Sequence, residues 1–180
     1  MSSPLLVVDM QNGFVNEYTQ HMSERIVTLI ETNDYEPIMF TQFINTADSP
    51  FRKYVGWDKC GSEPETLIVP ELAGYATPDR QYAKSGLVGL PEELRTLFRT
   101  NPIEEITLVG VDTDMCVLKT AMDIFDLGIR PIVLVDCCAS TSGLQSHLAG
   151  LAVLARNIGA DQLHDAGLSG GRLAAPLRHK

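Results

Sequence analysis

The chain has 180 residues, 44% of them hydrophobic and 21% charged, with 14 Lys+Arg against 23 Asp+Glu for a formal charge of -9. That length fits one domain with a real core, and the composition excludes a disordered polymer. The acidic balance, with no basic cluster to offset it, excludes a phosphate-tracking nucleic-acid binder.

The first residues lack a basic leader region, and no apolar run approaches the ~20 residues that span a bilayer. The four cysteines, Cys60, Cys116, Cys137 and Cys138, form no CxxC pair. A reduced, cytoplasmic protein without membrane association is the expectation.

In chain order, residues 4–8 form a short apolar strand that ends in Asp9. A loop over 10–18 leads to Thr19, which suits a helix N-cap, and Met22, Ile26, Leu29 and Ile30 fall on one face of the helix that follows. Residues 37–41 are a second buried strand, ending in Thr41-Gln42. Periodicity then fails from 43 to 64, and a loop of that length inside a compact domain is usually functional. It carries the single tryptophan, Trp57, near Phe51 and Tyr54. These aromatics either wall a pocket or cover the sheet edge.

Residues 67–69 are a short strand or a lead-in, and 80–84 are a strand ending in Lys84. Pro91-Glu92-Glu93 opens a helix, with Leu94, Leu97 and Phe98 as its apolar stripe. A central strand over 105–111 feeds a helix over 114–127 that Gly128 closes. Another strand, 131–136, ends in Asp136; a helix over 143–157 is closed by Gly159, and a last short strand lies near Gln162-Leu163. Short uninterrupted apolar strands alternating with helices specify an α/β fold, a mostly parallel sheet with helices on both faces. The domain is set at 1–167, and 168–180 is expected to be a mobile or partner-contacting tail.

In such a sheet, ligands bind beyond the carboxyl ends of the strands, where strand order reverses. The residues expected there are Asp9, Thr41-Gln42, Lys84, 112–116 and Asp136. An acid, an ammonium and a thiol are among them. Cys116, just past a strand and at the start of a helix, is placed where the helix dipole favours thiolate. Asp9 is suited to take its proton, Lys84 to hold the charged pair, and N–H groups of the 112–116 turn to receive an oxyanion. Each residue also has a plainer role: Cys116 as a small core side chain, Asp9 as a turn cap, Lys84 as a surface charge. Position alone does not choose between Asp9 and Asp136. None of His21, His147, His164 or His179 follows a strand in a comparable place.

Three segments, Leu6-Val-Val-Asp-Met-Gln-Asn-Gly-Phe14, the strand-end Lys84, and Gly110-Val-Asp-Thr-Asp-Met-Cys-Val117 backed by Thr120-Ala121, resemble the isochorismatase-like cysteine hydrolases. Nicotinamidases and N-carbamoylsarcosine amidase belong to that family. Val135-Asp136 followed by Ala139-Ser140 fits the same pattern, and the likeness runs from about 4 to 160.

The resemblance implies a triad of Asp9, Lys84 and Cys116. It implies a cis peptide between Val111 and Asp112 and an oxyanion hole from the Asp112 and Cys116 N–H groups. It further implies a six-stranded, three-layer, Rossmann-like parallel sheet and assembly as a homo-oligomer, a dimer or tetramer. Nicotinamidases hold a metal through an Asp-x-His pattern after the second strand; here that segment, 41–48, has no histidine, so neither metal nor cofactor is expected. After Lys84, Ser85-Gly-Leu-Val-Gly89 replaces the family's more usual Tyr-Ser-Ala/Gly-Phe, which leaves the substrate open. Phe14, Phe43, Trp57 and Leu87 are the expected walls of a small, partly apolar pocket.

The expected activity is metal-independent hydrolysis of a small amide or ureido C–N bond through a Cys116 thioester. The alternatives are vinyl-ether hydrolysis of the isochorismatase type, a thiol redox or sensor protein using Cys116 or the Cys137-Cys138 pair, and a silent scaffold.

Overall fold

The computed structural model describes residues 3–168. Six strands form one sheet: β1 (Ser3–Val8), β2 (Tyr35–Phe43), β3 (Gln81–Lys84), β4 (Glu105–Val111), β5 (Arg130–Ala139) and β6 (Leu163–His164). Their order is β3-β2-β1-β4-β5-β6, and every pairing is parallel. The helices are α1 (Met22–Thr32), α2 (Glu92–Thr100), α3 (Leu118–Asp126) and α4 (Leu144–Ile158). Among the described residues, no helix is long and apolar enough to cross a membrane.

Alternation along β1 explains the three layers. Leu5 and Val7 point into one core with Met22, Ile26 and Leu29 of α1. Leu6 and Val8 point into the other, with Leu94 and Phe98 of α2, Ala121 and Ile124 of α3, and Leu154 of α4. A strand covered on both faces has no polar side, so its sequence is continuously apolar.

Chain direction reverses around β1. The chain builds outward from β1 to β2 and β3, then returns to the far side of β1 with β4 and continues to β5 and β6. The crevice at that reversal opens above the ends of β1 and β4. Asp9 leaves one of these ends and the 112–116 turn leaves the other.

Close approach of the two strands demands glycine at 110. A Cβ built there would stand 2.2 Å from the Val8 carbonyl oxygen, and φ is +117°. We expect Gly110→Ala to destabilise the fold by roughly 3–5 kcal/mol, combining backbone strain with overpacking. Urea denaturation measures it, and a loss below about 1 kcal/mol would contradict this packing.

Two local expectations differ from the structure, and one open alternative is decided. Thr19 is not the cap of α1, which begins at Met22 with no side-chain cap on His21. Its hydroxyl instead donates to the Phe14 carbonyl at 2.6 Å and accepts from the Asn16 N–H, closing the preceding loop. Asp136 does not end its strand, because β5 runs on to Ala139. It pairs with Arg25 of α1 at 2.8 Å. Residues 67–69 form no strand of the main sheet; Ile68 makes an isolated antiparallel bridge to Gln11. Of the expected tail, 169–180 lies outside the described residues.

Candidate active site

Asp9, Lys84 and Cys116 come from the ends of β1, β3 and β4 and meet at one point. The Asp9 and Lys84 side chains are fully buried, and their charges are 2.7 Å apart. Thr41 of β2, lying between them in the sheet, donates its hydroxyl to Asp9 Oδ1 at 2.6 Å and accepts from the Asp9 N–H at 3.1 Å. Asp9 itself takes φ +50°, a conformation uncommon outside glycine. The carboxylate is thus held by an ammonium and a hydroxyl, and its charge acts on the nearby Cys116 thiol.

Gln11 builds the rest of this corner. Its amide donates to the carbonyls of Phe43 and Thr66, both at 2.9 Å, and its oxygen accepts the Phe43 N–H at 2.7 Å. One buried amide so ties the chain after β1 to the end of β2 and to the long loop. That is a physical reason for glutamine two residues after Asp9.

Cys116 sits in a π-helical turn, Thr113–Val117, ahead of α3. The peptide bond before it, Val111-Asp112, is cis, as the resemblance implies. From behind, the Thr113 hydroxyl shares a 2.8 Å hydrogen bond with His147 Nδ1 of α4. Burial holds His147 below its ordinary value, so the ring is neutral near pH 7.

The surroundings of the thiol oppose the helix-dipole effect. Burial, together with the neighbouring Asp9 charge, pushes Cys116 well above the ordinary thiol range, and Lys84 offsets this only in part. Burial alone would lower the Lys84 ammonium, but Asp9 and Cys116 outweigh it and hold it above its usual value. These surroundings favour the protonated form of the thiol. A proton acceptor beside the sulfur is then a chemical necessity for nucleophilic attack, and Asp9 is the group in place.

A cavity of about 370 Å³ opens onto Cys116. Phe14 and Trp57 stack at 5.8 Å, and Phe43 meets Phe51 edge-on at 5.6 Å. The irregular loop that carries Trp57 is fixed by Asn45, whose amide donates to the Trp57 and Lys59 carbonyls at 3.0 and 2.9 Å. Phe14, Phe43 and Trp57 thus line the cavity as expected. Leu87 does not: it is 60% exposed on the loop beyond β3, at the sheet edge. Phe51, one of the loop aromatics read as a pocket wall or an edge cover, also lines it, as do Met115 and Thr141, which were not singled out. A second cavity, about 380 Å³ between α1 and α4, is lined by none of the three.

The remaining cysteines offer no obvious redox partner. Cys137 is buried in the α1-side core and Cys138 in the opposite one, so the vicinal pair points to opposite faces of the sheet. Cys60 is buried and free. Among the described residues no three His, Cys, Asp or Glu side chains gather as metal ligands. Where nicotinamidases would supply histidines, Asn45 is engaged with backbone carbonyls, so these residues do not fit that metal.

The Asp112 carboxylate, expected to matter only through its N–H, is tied at both oxygens. Oδ1 accepts the Thr141 N–H at 2.7 Å and Oδ2 accepts the Thr141 hydroxyl at 2.6 Å. Burial pushes its carboxyl from 3.8 up to about 6, against the lowering effect of the Thr141 bonds. The folded state then binds this proton more tightly than the unfolded chain, so stability falls as pH rises from about 4 to 6 and stays lowered above. Asn at this position can still accept from the Thr141 N–H and donate to its hydroxyl. Asp112→Asn is expected to be more stable than wild type at pH 8 by on the order of 2 kcal/mol, with the difference gone near pH 4. Urea midpoints at the two pH values measure this; equal midpoints at pH 8 would contradict it.

The sequence profile of the isochorismatase domain matches residues 3–164. A rat relative, isochorismatase domain-containing protein 2, is 33% identical over 88 residues, 49% of this chain and 39% of that protein. The chain therefore matches well under half the length of that relative. Among solved structures, an isochorismatase-like hydrolase from Alkaliphilus metalliredigens superimposes with TM-score 0.74 at 21% identity, covering 92% of each chain. N-carbamoylsarcosine amidase from Thermoplasma acidophilum does so with TM-score 0.72 at 21% identity, covering 95% of this chain and all of that one. At such identities the likeness is one of fold.

Proposed function

We infer that this chain, which belongs to the isochorismatase family of hydrolases, cleaves a small amide or ureido C–N bond through a thioester on Cys116. The observation that carries the reading is the convergence of Asp9, Lys84 and Cys116 at an aromatic-walled cavity of about 370 Å³.

In the proposed cycle the Cys116 sulfur attacks the substrate carbonyl carbon as Asp9 takes the thiol proton. Lys84 stabilises the Asp9 carboxylate before transfer and the sulfur's negative charge during it. The Asp112 and Cys116 N–H groups receive the oxyanion. The C–N bond then breaks, Asp9 returns its proton to the leaving nitrogen, and ammonia or an amine departs. Water, deprotonated by Asp9, attacks the thioester, which releases the acid and restores the thiol. No histidine and no metal takes part. The cavity admits only a compact substrate, and its aromatic walls favour a planar one.

A panel of small amides and ureides scored by ammonia release tests the reading, with Cys116→Ala as control. Release by the wild type alone supports it. No release from any member, by a protein that melts cooperatively, counts against it.

A further inference from the structure

The cavity wall carries an acid with acceptor capacity to spare. Each Asp112 oxygen accepts one hydrogen bond from Thr141, whereas a carboxylate has about four lone-pair sites. Asp112 is only 8% exposed, and it lines the cavity together with Cys116.

The other charges do not cancel it. Asp9 and Lys84 neutralise each other at 2.7 Å, out of contact with solvent. Lys59, the one cation on the cavity lining among the described residues, is exposed, where water screens its charge. Asp114, in the next turn, adds negative charge nearby. The wall of the cavity therefore carries an acid, Asp112, beside the stacked Phe14 and Trp57 rings, and aromatic rings attract cations and planar groups.

We propose that Asp112 is the specificity-determining residue of this pocket, accepting N–H donors from the substrate and selecting amidinium, guanidinium and ureido compounds over carboxylates. This rests on the reading of the cavity as the substrate site of a C–N hydrolase. A planar C(NH2)2 group presents two N–H bonds along one edge, which match the two oxygens of a carboxylate. A carboxylate ligand would instead bring like charge into a site of low dielectric.

Trp57, the single tryptophan of the chain, lines the cavity and reports binding without any chemistry. Its fluorescence is titrated at about pH 8 with benzamidine, benzamide and benzoate, which share a ring and differ in donors and charge. Benzamidine is expected to bind at least ~10-fold more tightly than benzoate, with benzamide between them. In Asp112→Asn, checked by a cooperative melt, the advantage should shrink to less than about 3-fold. Equal or tighter binding of benzoate by the wild type overturns the proposal. So does an unchanged ranking in the variant, or no response to benzamidine. Because the readout needs no turnover, an inactive protein that still ranks the three ligands this way contradicts only the hydrolase reading. An active one without the ranking contradicts only the role of Asp112.

Discussion

Asp9→Asn is expected to lower turnover by at least ~10³-fold and to cost the fold about 3–5 kcal/mol. The two losses have different origins. Asn cannot take the thiol proton, and burial favours the protonated thiol, so attack loses its base. Separately, the substitution leaves the fully buried Lys84 ammonium without its counter-charge at 2.7 Å, and an uncompensated buried charge is far more costly than an absent pair. The double variant Asp9→Asn/Lys84→Met should therefore recover much of the stability and none of the activity. Urea denaturation and ammonia release measured on the same samples separate the two. If the single variant is as stable as wild type, the ion pair is not the buried contact described here.

Cys116→Ala is expected to be the opposite kind of variant. The side chain is small, lines a cavity and carries no charge in the resting state, so stability should change by no more than about 1 kcal/mol. Turnover should fall by at least ~10⁴-fold, because the proposed cycle loses the sulfur that attacks the carbonyl. Melting curves indistinguishable from wild type beside absent ammonia release are the expected pair of results. A vinyl-ether hydrolysis, in which sulfur forms no bond to substrate, would instead survive this substitution and fail in Asp9→Asn.

What the sequence showed follows from where the physics is local. Asp9 follows β1, Lys84 ends β3 and Cys116 lies in the turn after β4, so strand ends placed them in one candidate region, and the family resemblance singled them out from Asp136. The Gly110 requirement is written in the chain, although its reason, a Cβ 2.2 Å from the Val8 carbonyl, needs the neighbouring strand. Leu87 was misplaced because its distance from Lys84 in sequence says nothing about direction. The chain leaves β3 at the edge of the sheet, and Leu87 faces water rather than the cavity beyond β2.

Contacts between residues far apart in the chain were the ones hidden. Asp112 and Thr141 meet across 29 positions, and Thr113 and His147 across 34. No periodicity or turn signature links such pairs, so the side-chain role of Asp112 emerged only from the folded chain. The groups that oppose a thiolate were hidden for a related reason. A helix terminus is visible in sequence, but burial and the Asp9 charge that oppose its effect belong to the tertiary structure.

The covalent step is the centre of this account, and intact-mass measurement with peptide mapping addresses it most directly. Wild-type protein mixed with a slow amide substrate and quenched in acid should gain the mass of one acyl group, located on the peptide that contains Cys116, and Cys116→Ala should gain none. Turnover by the wild type with no adduct, accompanied by full activity in Cys116→Ala, would contradict the thioester.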